Sequence, residues 1–349
     1  MIKGVSLFSG AGGMDVGFEA AGVNVVFANE IDKTAAKTYA ANHPDTELVV
    51  DDINNIFPRL STLSDVDLVF GGPPCQGFSV IGKMNPDDIR SQLIWSFLKA
   101  VEVIRPRAFV MENVKALASI TKWKDVREEY VRRANQLGYG CIPFIINAAE
   151  YGTPQKRERV FFVGFRNDYG FGEELNQLIE CQKRLAPTVR ELFRDLGPAG
   201  TDKNPNTCHA KITFAIKPVM RRIPYDCLMF NGIGRPIDPD GYSRTITASM
   251  GGNMTLIVDE VFLHDATADN WIQDYYDKLV NHDITPEFKE APARLRRLTI
   301  KETARLQTFP DSYIFVGPKT NVYKQIGNAV PCEMAKTIAT AVVEYLSNH

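Results

Sequence analysis

The chain has 349 residues, of which 44% are hydrophobic and 23% are charged, and its formal net charge is −2. This length is enough for two domains and a sizeable core. No apolar run approaches the roughly 18 residues that span a bilayer, and the start is not typical of a signal peptide, so we expect a cytoplasmic protein without a membrane contact. Six cysteines occur without a C-x-x-C pair and five histidines without ligand spacing or a site-like stretch, so neither a metal site nor a disulfide framework is expected.

The first part of the chain, to about residue 165, alternates short apolar runs with helical patterns. Nearly continuous apolar strands separated by helices are typical of a doubly wound, mostly parallel α/β sheet that is covered on both faces. The predicted strands are Val5–Phe8, Val23–Ala28, Leu48–Val50, Val66–Phe70, Ala108–Met111, Ile142–Asn147 and Val160–Val163. The predicted helices are Met14–Ala21, Lys33–Asn42, Ile89–Ile104 and Asp125–Leu137.

A different pattern follows from about residue 185 to 290. Periodicity becomes weak there, and Pro, Gly, Asn and Asp recur in runs such as "NGIGRPIDPDGYS". This pattern indicates a smaller, loop-rich second domain. The stretch Asn328–Ser347 is helical again, and we expect it to return to the first domain.

The stretch "VSLFSGAGGMDVGF" predicts a strand, a glycine turn and a helix. Gly10, Gly12 and Gly13 allow a sharp turn and a close approach to a ligand, and doubly wound sheets bind ligands at the carboxyl ends of their strands. Glu30 ends the second predicted strand and Asp52 the third. Each acid alone is more often a helix cap or a solvated strand end. Together the three features favour a nucleoside cofactor, and the spacing G-x-G-G argues against a pyrophosphate.

A single cysteine follows the fourth predicted strand in "GGPPCQGFS". The two prolines stiffen this bend and hold Cys75 in place, which suits either a packing residue or a nucleophile. The fifth strand ends in Glu112 and Asn113, and "QKRER" places Arg157 and Arg159 ahead of the next strand. In isolation, Glu112 fits a structural cap as well as it fits a catalytic acid, and "KRER" is somewhat more often a solvated charge run. If these groups lie together at one edge of the sheet, they suit a reaction in which a ring is attacked by the thiol, protonated by the acid and held by the arginine.

These motifs together resemble the C5-cytosine-specific DNA methyltransferase family of the restriction-modification type. The match covers nearly the whole chain in family order, and "PPCQ" followed by "ENV" and "QKRER" is its most specific part. The matching motifs are "LFSGAGGMDVGF", "ANEID", "DDI", "GGPPCQGFSVIGK", "MENV", "QKRERVFFVGF", "RLTIKETARLQTFPD" and "YKQIGNAVP".

The resemblance implies a Rossmann-like class I methyltransferase fold that uses S-adenosyl-L-methionine. It implies that Phe8 packs on the adenine, that Glu30 holds the ribose and that Asp52 takes the adenine amino group. Ile31 stands where many members carry a large aromatic residue, although it still offers an apolar face. The cofactor residues implied by the resemblance are Phe8, Gly10, Gly12, Glu30, Ile31, Asp52, Ile53, Pro73, Leu93, Asn328 and Ala329.

The same resemblance implies chemistry on a cytosine that is flipped out of the duplex. Cys75 adds to C6, Glu112 in its protonated form donates to N3, and Arg159 holds O2. Asn113 and Arg157 orient the pocket. The DNA-contacting residues implied by the resemblance are Ser79, Lys83, Thr245 and Ile246.

The resemblance also divides the chain. Residues 1–185 and 318–349 would form the catalytic domain, and residues 186–317 the target-recognition domain with its hinge. We expect "KPVMRR" (217–222) and "ARLRRLTIK" (293–301) to supply positive charge for DNA phosphates. The expected partner is double-stranded DNA, and the enzyme is either paired with a restriction endonuclease that acts on the same site or solitary. The protein itself is expected to be a monomer in a prokaryotic cytosol.

Three other functions fit part of the sequence. An RNA cytosine-C5 methyltransferase, acting on tRNA, shares the catalytic motifs, although the long region 186–290 favours DNA. A non-catalytic DNA-binding regulator with the same fold predicts a broken motif, and the sequence has none. A nicotinamide-dependent oxidoreductase fits only the opening strand, turn and helix, and its G-x-G-x-x-G spacing is missing.

Overall fold

The computed structural model describes residues 1–74, 92–169 and 174–349. Its first elements are β1 (Ile2–Leu7), α1 (Gly13–Ala20), β2 (Val23–Asn29), α2 (Lys33–Asn42), β3 (Glu47–Val49), α3 (Phe57–Leu60), β4 (Leu68–Gly71), α4 (Leu93–Ile104), β5 (Ala108–Val114), α5 (Lys115–Ser119), α6 (Lys124–Gln136), β6 (Tyr139–Asn147), β7 (Gln155–Lys156), β8 (Glu158–Arg166) and α7 (Glu174–Glu180). The remaining elements are α8 (Val189–Phe193), β9 (Phe214–Val219), β10 (Leu228–Phe230), β11 (Ser243–Arg244), β12 (Ile257–Asp259), α9 (Glu260–His264), α10 (Trp271–Val280), β13 (Leu295–Arg297), α11 (Ile300–Leu306), α12 (Lys319–Asn328) and α13 (Cys332–Asn348). Within these described ranges no helix is long and apolar enough to cross a membrane.

A seven-stranded sheet with the order β3-β2-β1-β4-β5-β8-β6 forms the centre of the molecule. Strands β1 to β5 pair in parallel, whereas β8 is antiparallel to both β5 and β6. The mostly parallel, doubly wound α/β sheet predicted from the sequence is therefore confirmed. Each predicted strand overlaps a strand of this sheet.

Both faces of the sheet are covered, as continuous apolar strands require. Along β5, the side chains of Ala108 and Val110 join one core cluster, and those of Phe109 and Met111 join another. Residues of α1, α7 and α13 complete the first cluster, and residues of α3, α4 and α6 complete the second. The alternation follows from the two-residue period of a strand, which places successive side chains on opposite faces.

The C-terminal stretch differs from its prediction. The sequence predicts one helical stretch over Asn328–Ser347, but the chain forms α12 and α13 with a break at Ala329 and Val330. Pro331 precedes α13, and a proline disfavours helical geometry in the residue before it. The break matters for the site because it places the Val330 carbonyl oxygen against Gly13 of the glycine turn and leaves the Ala329 carbonyl to accept from Arg157.

The region between α7 and α12 is built from short strands and helices, as its weak periodicity predicts. One core cluster there joins β12, α8 and α11 to α12, and another joins β10, α10 and β13. The expectation that the arginines of "ARLRRLTIK" face DNA phosphates is wrong. Arg294 pairs with Asp259 and Asp269, and Arg296 with Glu260 and Glu302.

Arg297, in the same run, is buried and donates to backbone carbonyls at Thr255 (2.7 Å) and Asn253 (3.1 Å). Buried cations need partners inside the protein, so these three arginines stabilise the second region rather than offering charge to a ligand. By contrast, the side chains of Lys217, Arg221 and Arg222 in "KPVMRR" are exposed, and the described residues give them no ion pair.

Candidate active site

The carboxyl ends of β1, β2, β4 and β5 meet at one edge of the sheet, where ligands of doubly wound folds bind. The glycine turn follows β1, Glu30 follows β2, and Pro73 lies just after β4. Glu112 and Asn113 lie near the end of β5. Side chains that are far apart in the sequence are therefore collected at this edge by strand order alone.

The turn after β1 depends on residues with positive φ. Phe8 has φ 55°, Gly10 has φ 58° and Gly12 has φ 87°. The Gly12 amide donates to the Ser9 carbonyl (2.9 Å), and α1 begins at the next residue. A Cβ on Gly13 would lie 2.7 Å from the Val330 carbonyl oxygen, so the turn fits closely against the break between α12 and α13. At Gly10, in contrast, a Cβ would meet no atom of the described residues within 4 Å, so one side of the turn is open.

Glu30 is buried beside this turn and fixes its shape. One carboxylate oxygen accepts from the Gly10 amide and the other from the Asp32 amide, each at 2.7 Å. Burial raises the pKa of Glu30, and the two backbone hydrogen bonds partly offset that rise by favouring the charged form. Each oxygen keeps a second lone pair, so Glu30 can still accept hydroxyl groups of a ligand.

Asp52 does not end the third strand, since β3 stops at Val49. It caps a short 3-10 helix, and its Oδ1 accepts from the amide (2.8 Å) and the side chain (2.9 Å) of Asn54. Among the described residues nothing bonds to Oδ2. The cap reading of this residue is confirmed, and one oxygen stays available to a ligand.

An apolar wall completes this half of the edge. Phe8, Ile53 and Leu93 belong to the same core cluster, with Phe8 and Leu93 only partly buried. Ile31 is 61% exposed, and Asn328 is exposed at the end of α12. An open glycine turn, two carboxylates and an apolar wall fit a nucleoside with an adenine and a ribose.

The other half of the edge is charged. Arg159 Nε lies 2.9 Å from Glu112 Oε1 across the β5–β8 pair. Arg159 lies opposite Val114, so its side chain points to the same face as that of Glu112, two residues earlier on β5. Burial raises the pKa of Glu112, while the charges of Arg159 and Arg157 partly counter the rise. The result is a carboxyl group that takes a proton more readily than an exposed glutamate.

Asn113 acts on the bend that carries the cysteine. Its Nδ2 donates to the Pro73 carbonyl (3.2 Å), and its Oδ1 accepts from the Val114 amide (3.0 Å). Asn113 thereby ties the end of β5 to the Pro-Pro bend. Cys75, Ser79 and Lys83 lie outside the described residues.

Arg157 has a different environment from Arg159. It is 3% exposed, and its guanidinium donates to the carbonyls of Ile246 (2.7 Å) and Ala329 (3.1 Å). Gln155 supports it, because its Oε1 accepts from the Ile246 amide (2.9 Å). Arg157 therefore joins the site to the second region and to the α12–α13 break.

The residues expected to contact DNA in the second region are close to this joint. The Thr245 hydroxyl donates to the Lys156 carbonyl (2.8 Å), and the side chain of Ile246 is buried. Gln307, which the sequence did not single out, donates to the carbonyls of Ile326 (2.7 Å) and Ala329 (3.0 Å). No short spacing pattern could have identified Gln307, because its partners lie on α12 and after it.

His43, which the sequence analysis did not single out, is buried behind the glycine turn and contacts Glu19 and Tyr313. Its role becomes visible only when α2 packs beside α1.

An open glycine turn after β1, a carboxylate after β2 and an antiparallel strand near the far edge define the class of Rossmann-like methyltransferases. Comparison with known proteins narrows this class. The S. pombe Dnmt2 methyltransferase has the same fold, with a TM-score of 0.64, 19% identity, and coverage of 100% of this chain and 99% of that one. The type II methyltransferase M.DdeI of Desulfomicrobium norvegicum is 31% identical over 99% of this chain and 89% of its own length. The type II methyltransferase M.NgoPII of Neisseria gonorrhoeae is 31% identical over 99% of this chain and 96% of its own length.

The family model of the C-5 cytosine-specific DNA methylases matches residues 2–344. The chain therefore belongs to this family, and its activity is methylation of cytosine at C5 in DNA.

Proposed function

We propose that the residues at this edge of the sheet methylate one cytosine within a specific duplex sequence, through a covalent bond between Cys75 and C6 of the base. The observation that carries the proposal is the Glu112–Arg159 pair, which lies beside the bend that Asn113 holds. This arrangement provides a proton donor and a cation next to the expected position of the thiol.

S-adenosyl-L-methionine is the proposed cofactor, and when bound it supplies an electrophilic methyl group. Phe8, Ile53 and Leu93 would contact the adenine together with Ile31. Glu30 would hold the ribose and Asp52 the adenine amino group through its free oxygen. The other residues of the cofactor site would be Gly10, Gly12, Pro73, Asn328 and Ala329.

Addition of a thiolate at C6 makes C5 nucleophilic. The Cys75 sulfur forms a bond to C6, and the electrons of the C5–C6 double bond shift toward N3 and O2. Glu112 in its protonated form donates to N3, and Arg159 stabilises charge at O2. After the methyl group has been transferred, a base removes the C5 proton, the C5–C6 double bond re-forms and the Cys75 thiolate leaves. The N3 proton returns to Glu112, which regenerates the enzyme.

The target base must leave the helix, because groups inside this cleft cannot reach C5 and C6 in a stacked duplex. Residues 186–317 would form the domain that recognises the sequence, and residues 1–185 and 318–349 the catalytic domain. Lys83, Ser79 and Thr245 would contact the DNA close to the flipped base, and the exposed cations of 217–222 would contact phosphates. The buried side chain of Ile246 suits a role in holding this loop rather than contacting bases.

One further partner follows from the names of the relatives. Type II methyltransferases are the modification half of restriction-modification systems, so we propose a cognate endonuclease that acts on the same sequence. We also propose that the protein acts as a monomer, since one chain carries all the motifs.

The proposed substrate is tested by transfer of labelled methyl groups to duplex DNA and, in parallel, to tRNA. Label in DNA that bisulfite sequencing maps to cytosines in one short sequence is the expected result. Label in tRNA alone would contradict the proposal. The matched control is Cys75→Ser, which should bind the cofactor and transfer no label.

A further inference from the structure

A cluster of polar side chains lies behind the glycine turn, with Asp15, Tyr39 and His43 buried, Tyr313 partly buried and Glu19 exposed. Asp15 and Glu19 lie on α1. Tyr39 lies on α2, and His43 caps the C-terminal end of that helix. Tyr313 lies in the segment that follows α11. The Tyr39 hydroxyl donates to Asp15 Oδ1 (2.9 Å). Tyr39 also stacks on the His43 ring, with centroids 4.4 Å apart.

Tyr313 connects this cluster to the turn itself. Its hydroxyl donates to the Ala11 carbonyl (2.5 Å), since a carbonyl can only accept. The hydroxyl oxygen is then an acceptor for His43 Nε2 at 3.0 Å. A chain of two hydrogen bonds therefore runs from the histidine to the middle of the glycine turn.

The acceptors around His43 determine its protonation. Nε2 must carry hydrogen to donate to Tyr313, and Nδ1 must carry hydrogen to donate to the Glu19 carboxylate at 2.9 Å. The arrangement therefore requires an imidazolium. Burial by itself lowers the pKa of His43, but the hydrogen bond to Glu19 and the charges of Asp15 and Glu19 outweigh it and leave the pKa raised.

The segment that follows Tyr313 is held along α2 by hydrogen bonds. The next residue, Ile314, exchanges two hydrogen bonds with the Asn42 side chain, at 2.9 Å and 2.8 Å. The Val316 amide donates to the Thr38 hydroxyl (2.9 Å). Residues 313–316 are thus fastened along α2, and the tyrosine cannot leave the turn without breaking these bonds.

The turn also fits against the cluster sterically. A Cβ on Gly12 would collide with the Tyr313 hydroxyl and with His43 Nε2. One side of the turn therefore lies directly on these two side chains, while its Gly10 side is open. Glu30 holds the Gly10 amide and Tyr313 holds the Ala11 carbonyl, so two peptide groups of the turn, with one peptide between them, are fixed by different side chains.

We propose that Tyr313 and His43 are positioning residues that hold the glycine turn in the shape required for binding of the methyl donor. This inference rests on the proposed function of the turn as the cofactor site. Both residues act through the Ala11 carbonyl.

The test compares Tyr313→Phe with Tyr323→Phe in the full chain. The Tyr323 hydroxyl is buried and donates to the Leu298 carbonyl (2.6 Å), away from the turn. Both changes remove one hydroxyl-to-carbonyl hydrogen bond, and Tyr313→Phe also removes the acceptor of His43 Nε2, so both variants should have a lower melting temperature. Only Tyr313→Phe should weaken binding of S-adenosylhomocysteine, measured by calorimetry, by about tenfold, which corresponds to one net hydrogen bond.

A second readout uses the protein without any ligand. Hydrogen exchange of the amides in residues 9–14 should become roughly fivefold to tenfold faster in Tyr313→Phe and stay unchanged in Tyr323→Phe. His43→Gln keeps one donor and loses the other, so its exchange and affinity should lie between those of wild type and Tyr313→Phe.

Equal affinity of Tyr313→Phe and Tyr323→Phe for S-adenosylhomocysteine, with equal exchange in residues 9–14, would overturn the positioning role while leaving the cofactor site intact. Failure of the wild-type protein to bind S-adenosylhomocysteine would instead overturn the proposed cofactor. If Tyr313→Phe does not fold, His43→Gln decides, and wild-type affinity and exchange in that variant would overturn the role.

Discussion

The two halves of the sheet edge use polar side chains in opposite ways. At the cofactor half, Glu30 and Asp52 bond to backbone amides, and Tyr313 bonds to a backbone carbonyl. At the reacting half, Glu112 and Arg159 bond to each other across two strands. The first set fixes the shape of the chain, whereas the second sets where charge and a proton lie. Variants should therefore separate affinity for the cofactor from the rate of reaction.

Cys75→Ser should give the largest effect. A serine hydroxyl is a far weaker nucleophile toward C6 than a thiolate, so methyl transfer should fall by more than about a thousandfold. The affinity for S-adenosylhomocysteine and the melting temperature should stay at their wild-type values. Residual activity within tenfold of wild type would show that the thiol is not the nucleophile.

Glu112→Gln should lower kcat by about a hundredfold to a thousandfold, because an amide cannot transfer its proton to N3. Cofactor affinity should not change, which sharpens the contrast between the two halves. Glu158→Gln is the control, since Glu158 is on the same strand as Arg159 but is exposed and pairs with Lys115.

The pH dependence of the methylation rate, compared between the wild type and Glu112→Gln, tests the protonation of Glu112. Burial raises its pKa, and the protonated form is the active one, so the wild-type rate should fall as pH rises through that pKa. Glu112→Gln should lack this limb of the profile. If the rate of Glu112→Gln falls over the same pH range as the wild-type rate, the titrating group is a different residue.

Arg157→Lys should affect both halves of the sheet edge, because the Arg157 guanidinium donates to the carbonyls of Ile246 and Ala329. An ammonium cannot span both acceptors, so the free energy of unfolding should fall by about 3 kcal/mol. Denaturant unfolding measures this loss, with the exposed Arg222→Lys as the control. A fall below about 0.5 kcal/mol would contradict a stabilising role for these two hydrogen bonds.

Asp15→Asn should have the smallest effect and should appear as a change with pH. Burial raises the pKa of Asp15 to about 6, so folding favours its protonated form. That stabilisation is complete below the unfolded pKa and is lost as pH rises through 6. Between pH 5 and 7 the wild type should lose about 1 to 2 kcal/mol relative to Asp15→Asn, measured by urea unfolding at each pH. Parallel curves would contradict the raised pKa.

Much of the fold follows from the sequence, because apolar strands and glycine turns are local signals. The strands of the sheet, the turn at Gly10 and the place of Glu30 are all predicted by patterns of a few residues. The contacts of His43 with Tyr313 are not, since the two residues are separated by 270 positions and no periodicity links them.

The arginines show the same limit within one motif. Arg157 and Arg159 are two residues apart, so a single strand would place both side chains on one face. The chain enters β8 only at Glu158, and Arg157 lies before it, where the chain turns toward the second region. The arginines of residues 294–297 were expected to contact phosphates because the sequence does not show their carboxylate partners. These partners, such as Asp259 and Glu260, lie on other elements.

Covalent trapping on duplex DNA tests the central claim most directly, with 5-fluorocytosine in place of cytosine and S-adenosyl-L-methionine present. The fluorine cannot leave as a proton does, so β-elimination is blocked and the adduct persists. We predict a stable protein–DNA adduct that peptide mass spectrometry maps to Cys75. It should form equally in Cys181→Ser, which removes an exposed thiol, and not at all in Cys75→Ser. A wild-type protein that methylates DNA without forming this adduct, or an adduct that maps to another residue, would contradict the account.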